Sequence, residues 1–261
     1  MSDVALALRQ SGYMLISLRR NPRVLVFTVA FPIVMLLLFA SIFAKSKHAT
    51  THFPGGGITI DAYFTAGVIA YAIMMACYSS LAVGLTTQRE NGLLKRIRGT
   101  PVPAWTFILA RIWASVVLVV TMTVVLIVIG RLVFDVRISA AGVAELAVFT
   151  VLGTAAMCAL GIALTTFTTT ADSAATIAPF STVILSFISG VFIPTDQLPE
   201  SLVQIGKVFP LAHLAQGLQA AFNSGPAHLS GENVAVLALW GGVGAIIAAR
   251  TFRWEPRGAG A

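Results

Sequence analysis

Few side chains in this sequence have the type and spacing needed to bind a metal or to catalyse a reaction. His48 and His52 are four residues apart, and Asp61 follows in the same predicted loop. That spacing brings two histidines together only on a helix, and the residues around them are rich in Thr and Gly, which do not favour one. No Ser-His-Asp arrangement is visible either. We therefore predict neither a metal site nor catalytic residues in this chain.

The glycines that would be needed to cradle a phosphate stand in the wrong context. Gly206 and Lys207 are followed by Val208 and lack the earlier glycine of a phosphate-binding loop. Gly241 and Gly242 lie inside an apolar run, where glycine is typical of helix packing rather than of a dinucleotide turn. The chain is thus predicted to have no nucleotide-hydrolysing motif, to bind no cofactor itself and not to be an enzyme.

The composition identifies the class of protein. Of 261 residues, 57% are apolar and only 10% are charged, and the mean hydropathy is +0.89. A soluble protein has about 25% charged residues, so this chain has too few to cover a solvated surface. The net charge of +7 would suit nucleic acid in a soluble protein, but here it belongs to loops beside a membrane. We predict an all-α, polytopic membrane protein that does not bind nucleic acid.

Six apolar stretches are long enough to cross a membrane, which takes about 20 residues each. The predicted membrane-spanning helices are 24–44, 63–86, 106–130, 144–167, 174–193 and 233–250. A further uncharged stretch, 208–231, contains His213, Gln216 and two prolines, and is too polar to span lipid. The whole chain, 1–261, is expected to form one transmembrane domain.

The positions of Lys and Arg predict the orientation, because short cytoplasmic loops are enriched in both. The side that holds both termini carries eleven: Arg9, Arg19, Arg20, Arg23, Arg89, Lys95, Arg96, Arg98, Arg250, Arg253 and Arg257. The opposite side carries five: Lys45, Lys47, Arg131, Arg137 and Lys207. Both termini, including the tail 251–261, are therefore predicted to be cytoplasmic.

Small residues follow one face of the second predicted span. They recur every four residues, at Ala72, Ala76, Ser80 and Gly84. Such a stripe lets helix backbones approach closely in lipid. We favour packing within the chain as its role, with subunit contact as the alternative.

The predicted cytoplasmic loop 88–99 has an amphipathic pattern. Leu93, Leu94 and Ile97 fall on one helical face, and Lys95, Arg96 and Arg98 cover the rest. Gly99 and the two following prolines end the helix. A short helix is thereby held between two spans, either as a basic turn resting on headgroups or as a knob that docks a partner and transmits force.

A second informative segment follows the fifth predicted span. Pro194 and Pro199 end that helix at the predicted outer surface. Residues 196–231 are too polar to cross the membrane and too apolar to stand in water. We expect them to re-enter the outer leaflet as one or two helices, and an ordinary structured loop is the alternative.

These segments together resemble the permeases of ABC-2 type transporters, particularly the daunorubicin-resistance-like group. The resemblance covers essentially the whole chain and rests on three motifs. They are Arg20-Asn21-Pro22, the loop Arg89-Glu90-x-Gly92-x-Leu94-x-Arg96 running into Thr100-Pro101-Val102, and Gly190-x-Phe192-x-Pro194-x3-Leu198-Pro199 with Pro210-Leu211 eleven residues on.

The resemblance implies an assembly of two permease copies, or two related permeases, with two cytoplasmic ATPase subunits that carry ATP and Mg. It makes 1–23 a cytoplasmic interfacial helix and 88–99 a coupling helix. The coupling residues would be Arg89, Glu90, Gly92, Leu93, Leu94, Arg96 and Ile97. The external gate in the re-entrant segment would include Gly190, Phe192, Pro194, Leu198, Pro199 and Pro210.

The expected function is ATP-driven export of an amphipathic or hydrophobic substrate, such as a drug, antibiotic, lipid or glycolipid, across the plasma membrane. Two alternatives stay open. One is a membrane-embedded lipid-modifying enzyme that uses His48, His52 and Asp61. The other is a pore that works without nucleotide.

Overall fold

The computed structural model describes residues 12, 29–43, 50–53, 56–99, 104–223 and 229–252. About 86% of the structure is helical. Its elements in chain order are α1 (Phe31–Phe43), β1 (Thr50–Phe53), β2 (Gly56–Thr59), α2 (Ile60–Met74), a π-helix (Met75–Ser79), α3 (Ser80–Glu90), α4 (Leu93–Arg98), α5 (Ala104–Phe134), α6 (Ala140–Phe167), α7 (Ala171–Ile188), a 3-10 turn (Thr195–Gln197), α8 (Glu200–Val208), α9 (Pro210–Ala220) and α10 (Gly231–Thr251). The two strands form one antiparallel hairpin.

Five helical segments of the described chain are long and apolar enough to cross a membrane. They are Ile60–Glu90, Thr106–Phe134, Ala140–Phe167, Ala171–Ile188 and Gly231–Thr251. The predicted all-α polytopic fold is confirmed. The first predicted span, 24–44, coincides with α1, but 24–28 and residue 44 lie outside the described residues, so the count of six spans stays a prediction. Residues 1–11, 13–23, 100–103 and 253–261, which include other predicted segments, also lie outside them, as does His48.

The segment Ile60–Glu90 forms the centre of the molecule. It begins where the Thr59 side chain accepts a hydrogen bond from the Ala62 amide, and it ends at Asn91. Nearly every residue of α2 is buried, because α1, α5, α6 and α9 pack around it. The segment changes to π-helical geometry halfway along, a distortion often found at functional sites.

The small residues of the second span make contacts within the chain. Ala72 and Ala76 are buried, and Ser80 and Gly84 are partly buried. Gly84 faces the guanidinium of Arg111 on α5. Small residues also lie at the contact between α10 and α6, where Gly241 faces Ala156.

Helices α8 and α9 form a hairpin in which α9 is buried in the bundle and α8 is largely exposed. Gly142, Phe149 and Gly153 of α6 face Ala221, Gly217 and Leu214 of α9, respectively. Helix α9 therefore runs antiparallel to α6, and its first residue, Pro210, lies nearest the middle of α6. The Trp240 indole of α10 contacts the same tip.

Candidate coupling site and outer turn

Helix α4 begins at a sharp turn that only glycine adopts easily. Gly92 has a φ of 69°, and no other group lies within 4 Å of the position of an added β-carbon. Leu94 is fully buried and Ile97 is partly buried, so these two side chains anchor α4 to the bundle. Leu93 was predicted to share that face, but it is 40% exposed. Because Leu93 is the first residue of α4, its side chain lies at the N-terminal end of the helix and is not covered by the bundle.

Among the α4 side chains that the structure describes, one apolar and two cationic ones are exposed. Leu93, Lys95 and Arg96 all point away from the bundle. We call these three residues the α4 face. They form a compact patch on a helix held at both ends by membrane-spanning segments.

Arg89 lies inside the bundle rather than on this face. Its side chain is buried, and it donates hydrogen bonds to the carbonyl oxygens of Thr165, at 2.8 Å, and of Thr168 and Thr169. These carbonyls belong to the end of α6, where the helix leaves them without intrahelical partners. In the structure Arg89 caps α6, and its coupling role stays a prediction.

Glu90 binds the next helix along the chain. Its Oε2 accepts a hydrogen bond from the backbone amide of Ala171, the first residue of α7. A carboxylate at this end of a helix is stabilised by the exposed amides and the helix dipole. The side chain is nonetheless exposed, so it lies beside the α4 face as well.

Arg89 and Glu90 together hold both sides of the turn 168–170 between α6 and α7. We call this arrangement the Arg-Glu clamp. A third contact supports it, since the Thr86 and Thr168 hydroxyls are 3.1 Å apart. The clamp was not predicted from the sequence. The signal that could have revealed it is the concentration of threonines at 165–170.

A second cluster lies at the opposite end of the bundle, where α7 ends in a turn around Gly190. Gly190 has a φ of 70°, and the Val191 amide donates back to the Ser186 carbonyl at 3.3 Å, which is typical of a glycine-terminated helix. The Gly190 carbonyl accepts hydrogen bonds from the Tyr63 hydroxyl and from Gln219 Nε2. The turn is thus tied to both α2 and α9.

Phe192 anchors this turn in an aromatic cluster. Its ring centroid lies 5.4 Å from that of Phe39, 5.2 Å from Tyr71 and 5.5 Å from Phe187. Helices α1, α2 and α7 therefore meet at this one side chain. Such ring pairs add to the packing energy.

The prolines of the predicted gate mark the ends of short elements. Pro194 is buried and precedes the 3-10 turn, Pro199 is exposed and precedes α8, and Pro210 is buried and starts α9. Leu198 is partly buried between the first two. The six predicted gate residues lie along one continuous path, from the end of α7 to the hairpin tip.

A family model for the ABC-2 type transporter matches residues 11–223. The chain belongs to the ABC-2 type transporter family. The match includes the α4 face, the Arg-Glu clamp and the outer turn, and it confirms the resemblance drawn from the motifs. No curated protein matches the chain.

Membership makes this ABC-2 type protein a multi-pass membrane transport component rather than an enzyme. Within the described residues, no three His, Cys, Asp or Glu side chains form a group able to hold a metal ion.

In this ABC-2 type transporter, the break between α8 and α9 is stabilised by side chains. Proline at 210 has no amide hydrogen, so the last carbonyls of α8 need other donors. His213 Nε2 lies 2.8 Å from the Lys207 carbonyl oxygen, and Trp240 Nε1 donates to that of Val208 at 2.9 Å. The other ring nitrogen of His213 lies 2.8 Å from Asn233 Oδ1. The hairpin tip is therefore fixed to the start and middle of α10.

An apolar cavity of about 250 Å³ lies next to this tip, on its α4 side. Its wall includes Tyr78, Leu160, Phe167, Phe209 and Trp240, from the π-helix, α6, the hairpin and α10. The Tyr78 hydroxyl lies 3.2 Å from Ser181 Oγ, and the Trp240 indole donates to Val208. Because both polar groups have partners already, the cavity presents an apolar surface to any occupant.

Proposed function

We propose that this chain is the permease subunit of an ATP-driven exporter of an amphipathic or hydrophobic substrate. Two ATPase subunits, which carry ATP and Mg, would bind the α4 side of a pair of permeases. The pair would consist of two copies of this chain or of this chain and a related one. The α4 side would be the cytoplasmic side of the plasma membrane.

The observation that carries this proposal is the connection between the α4 face and the Arg-Glu clamp. Helix α4 is joined covalently to α3 and, through residues 99–103, to α5. Arg89 and Glu90 join the same corner to α6 and α7. A force applied to Leu93, Lys95 and Arg96 would therefore reach four membrane helices rather than two.

The apolar cavity and the outer turn support the substrate class and the exit route. The cavity ends at the hairpin tip, and the hairpin begins at the turn that Phe192 anchors. A movement of α7 transmitted from the clamp would pull on this turn. Substrate would leave past the segment between Pro194 and Pro210.

Reconstitution with the ATPase partner in proteoliposomes tests the proposal. Arg96→Glu reverses a charge on the α4 face and touches no group of the clamp. We expect it to abolish ATPase binding and ATP-dependent transport of a fluorescent lipid, while the thermal unfolding midpoint stays unchanged. Arg250→Glu, an exposed change at the same end of the bundle, serves as the control. Transport that continues with a hydrolysis-dead ATPase subunit would contradict the proposal and favour a pore.

A further inference from the structure

The Arg111 side chain reaches from α5 to α3 on the α4 side of the bundle, and we call the space around its guanidinium the crevice. Its two terminal nitrogens are 3.1 and 3.3 Å from the position that a β-carbon would take on Gly84. The guanidinium therefore rests directly on the backbone of α3. Its Cζ lies 5.9 Å from the ring centroid of Phe107, one turn earlier on α5. The side chain remains partly exposed, so the crevice is open on one side.

This guanidinium has no anion among the described residues. Arg111 Nε is buried and has no hydrogen-bond partner there, and the ion pair recorded in that part of the chain joins Arg137 to Asp135. A buried charge without a counter-ion is costly, and an arginine inside a membrane segment is normally paired. No residue in the described part of the chain supplies a counter-ion, so an anion bound from the surroundings would stabilise Arg111.

The depth of Arg111 indicates where that anion comes from. Arg111 is seven residues, or about 10 Å, along α5 from Ala104, where the helix begins on the α4 side. For a helix that begins at the membrane surface, this is about the depth at which lipid headgroups meet the acyl chains. Phosphate oxygens are also the acceptors that a planar guanidinium binds best, with two parallel hydrogen bonds.

A second group without a described partner lies on α3, the helix that the Arg111 guanidinium contacts. Gln88 is one turn after Gly84 on the same face of α3, about 6 Å nearer the α4 end. Its Oε1 is buried and accepts no hydrogen bond from the described residues. The crevice thus presents cationic donors at the deeper level and one acceptor nearer the surface.

We propose that this crevice binds the headgroup of a phospholipid from the leaflet on the α4 side. The phosphate binds Arg111, and a hydrogen-bond donor of the headgroup, such as the ammonium of phosphatidylethanolamine, binds Gln88 Oε1. The choline of phosphatidylcholine has no N–H and would leave Gln88 unpaired. Because α3 and α5 flank α4, the bound lipid bridges the two helices that hold the α4 face.

Native mass spectrometry of the purified full chain tests this site without any ATPase subunit, so its failure is separate from failure of the transport proposal. The chain is titrated with phosphatidylethanolamine, phosphatidylcholine and diacylglycerol that carry the same acyl chains. We expect phosphatidylethanolamine to bind the wild-type chain about tenfold more tightly than diacylglycerol, since charge-assisted hydrogen bonds to phosphate are lost in the latter. Phosphatidylcholine should fall between the two.

Matched variants assign the contacts. Arg111→Gln should lower phosphatidylethanolamine affinity about tenfold, and Arg111→Lys, which keeps the charge but not the planar fork, should lower it less. Arg250→Gln removes an exposed arginine on the same side and should change nothing. Gln88→Leu should reduce binding of phosphatidylethanolamine to that of phosphatidylcholine.

Three results would overturn the assignment in whole or in part. Equal affinity of the wild-type chain for diacylglycerol and phosphatidylethanolamine would show that no headgroup is bound, and this comparison depends on no variant. Equal affinity for phosphatidylethanolamine and phosphatidylcholine would remove Gln88 from the site. Unchanged lipid binding by Arg111→Gln would remove Arg111.

Discussion

Arg89 and Glu90 are adjacent in sequence, yet they bind two different helices on either side of one turn. Arg89 donates to carbonyl oxygens at the end of α6, and Glu90 accepts from the first amide of α7. The loop motif had grouped Arg89 and Glu90 with the α4 residues as coupling residues. The structure shows that Arg89 and Glu90 also join neighbouring helices. The clamp joins α3 to α6 and α7 at this corner, and the α4 face is exposed beside it.

Arg89→Ala should destabilise the protein, because it removes buried charge-assisted hydrogen bonds and leaves the α6 carbonyls without donors. A loss of about 2 kcal/mol is expected, visible as a lower thermal unfolding midpoint in detergent. Arg96→Ala is the matched control, since Arg96 is exposed on α4. An unchanged midpoint for Arg89→Ala would show that the clamp does not stabilise the α6–α7 turn.

Glu90→Lys should uncouple ATP hydrolysis from transport while the ATPase subunit still binds. The new cation would face the positive end of α7, at a cost of about 0.3–1 kcal/mol, so the chain should still fold and insert. Glu90→Gln keeps an acceptor for the Ala171 amide and should retain most transport. If Glu90→Lys instead transports at the wild-type rate, Glu90 has no part in transmission.

Gly190→Ala should perturb the outer turn. A β-carbon at a φ of 70° is strained by about 1–2 kcal/mol, and it would lie 2.7 Å from Thr195 Cγ2. We expect a lower thermal midpoint and slower stimulated ATP hydrolysis. Gly242→Ala on α10, where nothing lies within 4 Å, should be neutral. Equal effects of the two changes would contradict this account of the turn.

Trp240→Phe should weaken the hairpin tip specifically. The variant keeps an aromatic ring near Phe209, whose centroid lies 6.4 Å from that of Trp240, but it loses the donor to the Val208 carbonyl. We expect a loss of about 1 kcal/mol, and faster hydrogen exchange confined to residues 205–212. Exchange rates equal to those of the wild type would show that the carbonyl is satisfied in another way.

The architecture was largely readable from the sequence, because long apolar runs and sparse charges leave few alternatives in a membrane. The short helix after α3 followed from the amphipathic pattern between Gly92 and Gly99. The turn at Gly190 followed from glycine and proline, whose backbone preferences are local.

The roles of individual polar side chains were not readable in this way. In the sequence Arg89 is one cation of a basic loop, and the threonine carbonyls that it caps lie about 76 residues away. The four-residue spacing predicts that Gly84 packs against another helix, and only the fold shows that it makes room for Arg111. Leu93 was assigned to the packed face because periodicity does not show where a short helix begins.

Photo-crosslinking from the α4 face is the most direct test of the central claim, that a separate ATPase drives this permease through α4. A benzophenone amino acid replaces Leu93 in the full chain in native membranes, and the control replaces Leu132, which is 79% exposed at the other end of α5. We predict a crosslink from position 93 to an ATP-binding subunit, lost with Arg96→Glu, and none from position 132. Transport by a chain that crosslinks to no nucleotide-hydrolysing protein at position 93 would contradict the account.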